Sequence, residues 1–242
     1  MSKTNETDDK WEVTCERFVA CLDILGFKDR VVNSTHNEVY QKLKLLNAVK
    51  TGLNEVSPSI KVIMFSDSIF IFSKDNKYET YVIMTVAIRA IIKDSIYPLE
   101  IPIKGALAYG EITFDEKRQI YFGQALIDAY LLEENEVHYL GVVAHHSIDN
   151  YLLKNDLLKN CILIPELDTP LKSGVIKHRN INFLRSYRES RYENNKDGSS
   201  FKLLQDDLKQ LYLNVRGKPR LYLDNTLKVL EQLEKINLNQ ED

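Results

Sequence analysis

At 242 residues, 44% hydrophobic and 28% charged, the chain holds enough apolar material for one compact core and an ordinary solvated surface. A net charge of −3 argues against broad electrostatic binding to nucleic acid, while leaving room for a local pocket that takes one triphosphate. Three cysteines (Cys15, Cys21, Cys161) with no C-x-x-C pair argue against structural zinc and a disulfide framework, and favour a reducing, cytoplasmic setting.

Residues 1–14 read as a mobile tail, and the opening MSKTNETDDKWE is polar and acidic, unlike a signal peptide. Phe18 to Leu22 is a continuous apolar run ending at Asp23, suited to a central strand covered on both faces. From His36 to Val56, apolar residues recur at Val39, Leu43, Leu46, Val49 and Leu53 with helical period, and Pro58 stops the pattern. Lys61 to Phe65 and Ser68 to Phe72 flank Ser66-Asp67, which predicts a tight hairpin with Asp67 at its tip. Residues 77–92 predict a second helix; its stretch Tyr81 to Ile92 is the longest apolar run, interrupted by Arg89 and well short of the roughly 18 residues that span a bilayer. Membrane association is therefore not expected. Strands are predicted at 101–112 and 119–123, and a helix at 123–134 through Leu126, Ala129, Tyr130 and Glu133. Further on, 138–153 suggests a strand and a helix, 161–165 a strand, 186–200 a polar loop, and 221–236 an amphipathic helix.

The order strand, helix, hairpin, helix, strand, strand, helix predicts an α/β (α+β) fold. Its core, over 15–140, is a ferredoxin-like βαββαβ unit with helices on one face of a mainly antiparallel sheet. Residues 141–242 are expected to form the C-terminal part of the same domain.

In that arrangement Asp23 and Asp67 converge at one sheet edge. Carboxylate oxygens suit magnesium or manganese, the Ile24 carbonyl can add an oxygen, and two carboxylates so placed repel each other unless a cation sits between them. Gly26 lets the chain bend around an anion. The amides from Leu25 through Gly26 and Phe27 to Lys28 can then face phosphate oxygens at a helix start, with Lys28 adding a charge. Taken singly, each aspartate has a plainer reading as a turn residue. Lys104, on a strand near the site, either touches phosphate or snorkels to solvent. Arg17 is open in the same way, His145-His146 starts a helix away from the metal motif, and Tyr97 or Tyr109 either stacks on a base or packs.

FVACLDILGFKD (18–29), MFSDSIFIFS (64–73), IPIKGALAYGEI (101–112) and YFGQALIDAYLLEE (121–134) occur in the order seen in class III nucleotidyl cyclases. More closely they resemble the small bacterial pyrimidine cyclases of Pycsar antiphage systems, over about residues 17–140. The resemblance implies two divalent metal ions, Mn²⁺ or Mg²⁺, on Asp23, Asp67 and the Ile24 carbonyl, with Asp23 and Asp67 as the catalytic residues. It also implies a head-to-tail homodimer with composite sites, UTP or CTP as substrate, and a cyclic nucleotide that acts on a separate effector.

The departures from the family are as informative. Aligned on Gly123, the ribose-orienting Asn and transition-state Arg of purine cyclases fall at Ile127 and Leu131, with Asp128 one place along. The purine-reading positions fall at Ile63 and Ile120, which cannot hydrogen-bond a base edge. A pyrimidine cyclase making cyclic UMP is the leading expectation. The competitors are a cytidylate or purine cyclase, and a cyclase-like domain that binds nucleotide without turnover.

Overall fold

The computed structural model describes residues 11–97, 99–158, 163–184, 200–212 and 218–238. The expected tail up to residue 10 and the expected loop at 186–199 lie outside them. The last part of that tail is docked, a correction with a clear cause. The Trp11 ring packs 5.1 Å from that of Phe114, its indole N–H donates to the Pro58 carbonyl, and the Val13 carbonyl accepts from the Phe114 amide at 2.6 Å.

The chain begins with strand β1 (Thr14–Ile24), longer than its apolar run because Thr14 to Arg17 pair with the far half of β4. Helices α1 (Phe27–Asn33) and α2 (His36–Val56) follow, the latter opened by a capping box in which Thr35 and Glu38 satisfy each other's backbone amides. Then come β2 (Ile60–Phe65), β3 (Ser68–Ser73), α3 (Tyr78–Ile96), β4 (Ile103–Asp115), β5 (Ile120–Phe122) and α4 (Gln124–Asn135). The sheet order is β2-β3-β1-β4-β5, with all of these neighbours antiparallel. Within it β2-β3-β1-β4 is the strand order of the expected βαββαβ unit. A short β6 (Val142–Ala144) joins β4 in parallel at Gly105 to Leu107.

Strand alternation splits the residues of β1 between two cores. Phe18, Ala20, Leu22 and Ile24 face the larger one, with α2, α3 and the C-terminal elements. Val19 and Cys21 face a smaller layer with Ala108, Ile112, Ala125 and Ala129, where α4 lies on the sheet. The helices of the ferredoxin-like unit thus share one face, and α4, which follows that unit, covers the other. Small side chains on both surfaces let α4 approach closely. Gly123 at its start is required for the same reason: φ is 151°, and a Cβ there would sit 2.3 Å from the Glu111 carbonyl oxygen.

The remaining elements are α5 (His146–Lys154), a two-stranded ribbon of β7 (Glu166–Leu171) and β8 (Gly174–Arg179), α6 (Ser200–Tyr212) and α7 (Lys218–Leu238). The strand expected at 161–165 is displaced. Its last residues, Leu163 to Pro165, are a turn and irregular chain, and the strand starts at Glu166.

Candidate active site

The site forms where β1 ends beside the β2–β3 turn. Asp23 lies opposite Ser68 on one side and Lys104 on the other, and the Ile24 amide donates to the Asp67 carbonyl at 3.1 Å. Ser66 takes a left-handed φ of 56°, which tightens the turn that carries Asp67. The two aspartates are thereby held at one edge, each half-buried. After Ile24 the chain turns through Gly26, whose left-handed φ of 70° starts α1, and the Gly26 carbonyl accepts from Arg30.

Two expected phosphate contacts are corrected. The Leu25 amide donates to the Pro102 carbonyl at 2.9 Å, so it is not free for an anion. The amides of Phe27 and Lys28 remain in the first turn of α1, where helix geometry leaves N–H groups without intrahelical partners. Lys104 neither snorkels nor faces open space. It is 4% exposed, and its Nζ donates to the backbone oxygen of Glu133 at 2.8 Å and to the Glu133 carboxylate, itself 2% exposed.

Glu133 is the residue that sequence reasoning missed. It continues the buried stripe Ala125, Ala129, Glu133 along α4, so a carboxylate at the third position of a small-residue stripe was the available signal. Its partner is set by sheet register, which local spacing does not reveal.

This setting makes Asp23 unusual. Its carboxyl is raised to about 7, chiefly by burial, with the Glu133 charge adding to the rise, Lys104 opposing it, and Asp67 and Glu134 contributing further. Burial also raises Glu133, with Lys104 opposing. Negative charge at Asp23 is therefore under-compensated by the protein, which is the electrostatic condition for receiving a cation. Among the described residues no three His, Cys, Asp or Glu side chains gather as a metal-holding group. An ion on Asp23 and Asp67 would complete its shell with the Ile24 carbonyl, phosphate oxygens and water. Magnesium is commonly held in that way, through one or two carboxylates plus substrate phosphates.

Other sequence-predicted positions divide clearly. Ile127 and Leu131 are 51% and 47% exposed on α4, and Ile120 is exposed on β5. Asp128 accepts from Gln124 and lies 3.7 Å from His145, whose ring caps α5. Arg17 is buried at the opposite end of β1, away from Asp23. Tyr109 packs on Phe18 and Tyr151 and donates its hydroxyl to Glu16. Tyr97 is half-exposed after α3.

No protein-family model and no curated protein matches the sequence. Among solved structures, a bacterial light-regulated adenylyl cyclase is similar, with a TM-score of 0.52 over 82% of this chain and 98% of that one, at 13% identity. A second structure of a bacterial light-regulated adenylyl cyclase gives 0.50 over 84% of this chain and 58% of that longer chain, again at 13% identity. At that identity the likeness is one of architecture. The chain has the mixed α/β fold, with a mainly antiparallel sheet, of a cyclase catalytic core. Among the described residues no helix is long and apolar enough to cross a membrane.

Proposed function

We propose that the chain is a pyrimidine nucleotide cyclase that converts UTP to 3′,5′-cyclic UMP and pyrophosphate. The observation that carries this reading is the pairing of Asp23 with Asp67, one hydrogen bond apart through Ile24, on a cyclase-type sheet. The 3′-hydroxyl oxygen attacks the α-phosphorus in line, its proton passes to water, and the bond to the β-phosphate breaks as pyrophosphate leaves. Asp23, Asp67 and the Ile24 carbonyl would hold divalent Mn²⁺ or Mg²⁺, which would supply charge neutralisation and acidify the attacking hydroxyl. Asp23 and Asp67 position that charge, and the first turn of α1 with Lys28 orients the phosphates.

Apolar Ile63 and Ile120 at the purine-reading positions support a pyrimidine, and UTP is the proposed substrate in preference to CTP. The exposed apolar side chains Phe122, Ile127, Tyr130 and Leu131 support a homodimer whose α4 surfaces complete the sites, since such a cluster is what association covers. In this reading the enzyme works in the cytoplasm and its product acts on a separate cyclic-nucleotide-binding effector in antiviral defence.

Incubation of the purified protein with each of the four triphosphates and Mn²⁺ tests the proposal. Cyclic UMP is expected as the main product, with Asp67→Ala reducing its rate by about a hundredfold or more, the scale of losing one electrostatic contributor. Absence of any cyclic product, or an unchanged Asp67→Ala rate, overturns it. A second reading, nucleotide binding without turnover, is favoured by the apolar side chains at Ile127 and Leu131. It predicts metal-dependent triphosphate binding with no product.

A further inference from the structure

A cavity of about 420 Å³ lies beside α1, reached by neither Asp23 nor Asp67. Its volume is that of a small-molecule site. Leu140, Leu211, Tyr222 and Leu223 form an apolar wall, most of it supplied by α6 and α7. Arg30, from α1, and Lys42, from α2, supply the positive charge.

These two cations are poorly compensated. The Arg30 guanidinium donates to the Glu100 carbonyl at 3.2 Å, and the Lys42 ammonium to the Leu99 carbonyl at 3.4 Å. Two carboxylates also line the cavity, Asp29 and Glu100, but both belong to exposed residues, and the Glu100 carboxylate stays 3.8 Å from Lys42. A carboxylate in water offers a weak counter-charge. Burial lowers the proton affinity of both cations, and Arg30 lowers that of Lys42 further, as expected of like charges sharing one space, while Glu100 opposes the shift at both.

A strained residue holds this arrangement. Glu100 has a left-handed φ of 53°, unfavourable for a residue with a side chain. That backbone presents its carbonyl to Arg30 and its carboxylate to Lys42. Strain kept where two cations meet an apolar wall is the pattern of a binding site.

We propose that this cavity binds a small organic anion, its charged group held by Arg30 and Lys42 and its apolar body resting on Leu211, Tyr222 and Leu223. An occupant would also touch Leu25 and Gly26, the turn that leads from the metal aspartates into α1. Binding itself does not depend on the cyclase reading, and it gives the C-terminal helices a role that their sequence does not disclose.

The probe is 2-naphthoate, with the neutral 2-naphthylmethanol as its uncharged counterpart, titrated calorimetrically into the full chain without metal or triphosphate. Saturable one-to-one binding of naphthoate is expected, at least tenfold tighter than the alcohol. Lys42→Met should weaken it tenfold or more, and Leu211→Trp, which fills the cavity, should abolish it, with both variants first shown to melt cooperatively. Affinity weaker than about 1 mM, equal affinity for the alcohol, or wild-type affinity in a folded Lys42→Met overturns the proposal. The comparison with the alcohol needs no variant. Product formation plays no part in the measurement, so failure here and failure of the cyclase reading are separate results.

Discussion

Both ends of the β1–β4 pair bury a cation on the α4 face, and they neutralise it in opposite ways. Arg17 and Asp23 are six residues apart on β1, or about 20 Å at strand rise. At the Arg17 end the guanidinium, fully buried, donates to the neutral carbonyls of Ser73 and Glu12 and lies over the rings of Trp11 and Phe114. At the Asp23 end the Lys104 ammonium meets the buried Glu133 carboxylate, with Asp23, Asp67 and Glu134 adding negative charge nearby. Between them lies the apolar layer of Val19, Cys21, Ala108 and Ala129. The same sheet surface thus has a dipole-compensated end and an end with excess negative charge. Only the second is prepared for a ligand of opposite sign.

Breaking the ion pair tests that contrast most strongly. Lys104→Met leaves Glu133 buried without its partner, and an expected loss of about 3–5 kcal/mol would be read from denaturant unfolding. Lys104→Met combined with Glu133→Leu should recover most of that loss, because an apolar pair of similar volume removes both charges. If the double variant is as unstable as the single one, packing of Lys104 rather than charge explains the effect. Arg17→Met is the matching change at the other end. It strands two carbonyls and the Cys15 sulfur but no buried carboxylate, so a smaller loss of about 1–3 kcal/mol is expected in the same experiment. A larger loss for Arg17→Met than for Lys104→Met would reverse the proposed distinction between the ends.

How far this could be read from the sequence follows the same division. The apolar run Phe18 to Leu22 and the Ser66-Asp67 turn are local signals, and they sufficed to bring Asp23 and Asp67 together. The Lys104–Glu133 pair is not local. It joins residues 29 apart through the register of β1 against β4 and the seat of α4, and the stripe that marks Glu133 does not name its partner. The Leu25 amide was misread for a similar reason, since its acceptor, Pro102, lies on the approach to a different strand. In the C-terminal part, the apolar run ending at Pro165 outweighed the true strand, whose exposed Glu166 and Asp168 alternate with buried Leu167 and Thr169. A six-residue ribbon strand carrying Pro170 has little local signature.

The finest test of the contrast is the pH dependence of stability. Asp23 has an ordinary carboxyl value of 3.8 unfolded and about 7 folded, so between these values the folded chain binds the proton more tightly. Stability from this group is therefore fully present below about pH 4 and is lost as pH rises through 7. Asp23 is only partly buried, and after discounting for solvent screening the effect is about 1 kcal/mol. Asp23→Asn should remove this slope, so the gap between variant and wild type changes from pH 4 to 8. Mn²⁺ should restore wild-type stability at the alkaline end, because it favours the ionised carboxylate. Arg17→Met should leave the slope untouched, since a guanidinium does not titrate in this range. A pH-independent gap between wild type and Asp23→Asn would mean that Asp23 is ionised throughout, and that the two ends differ in their partners but not in stored charge.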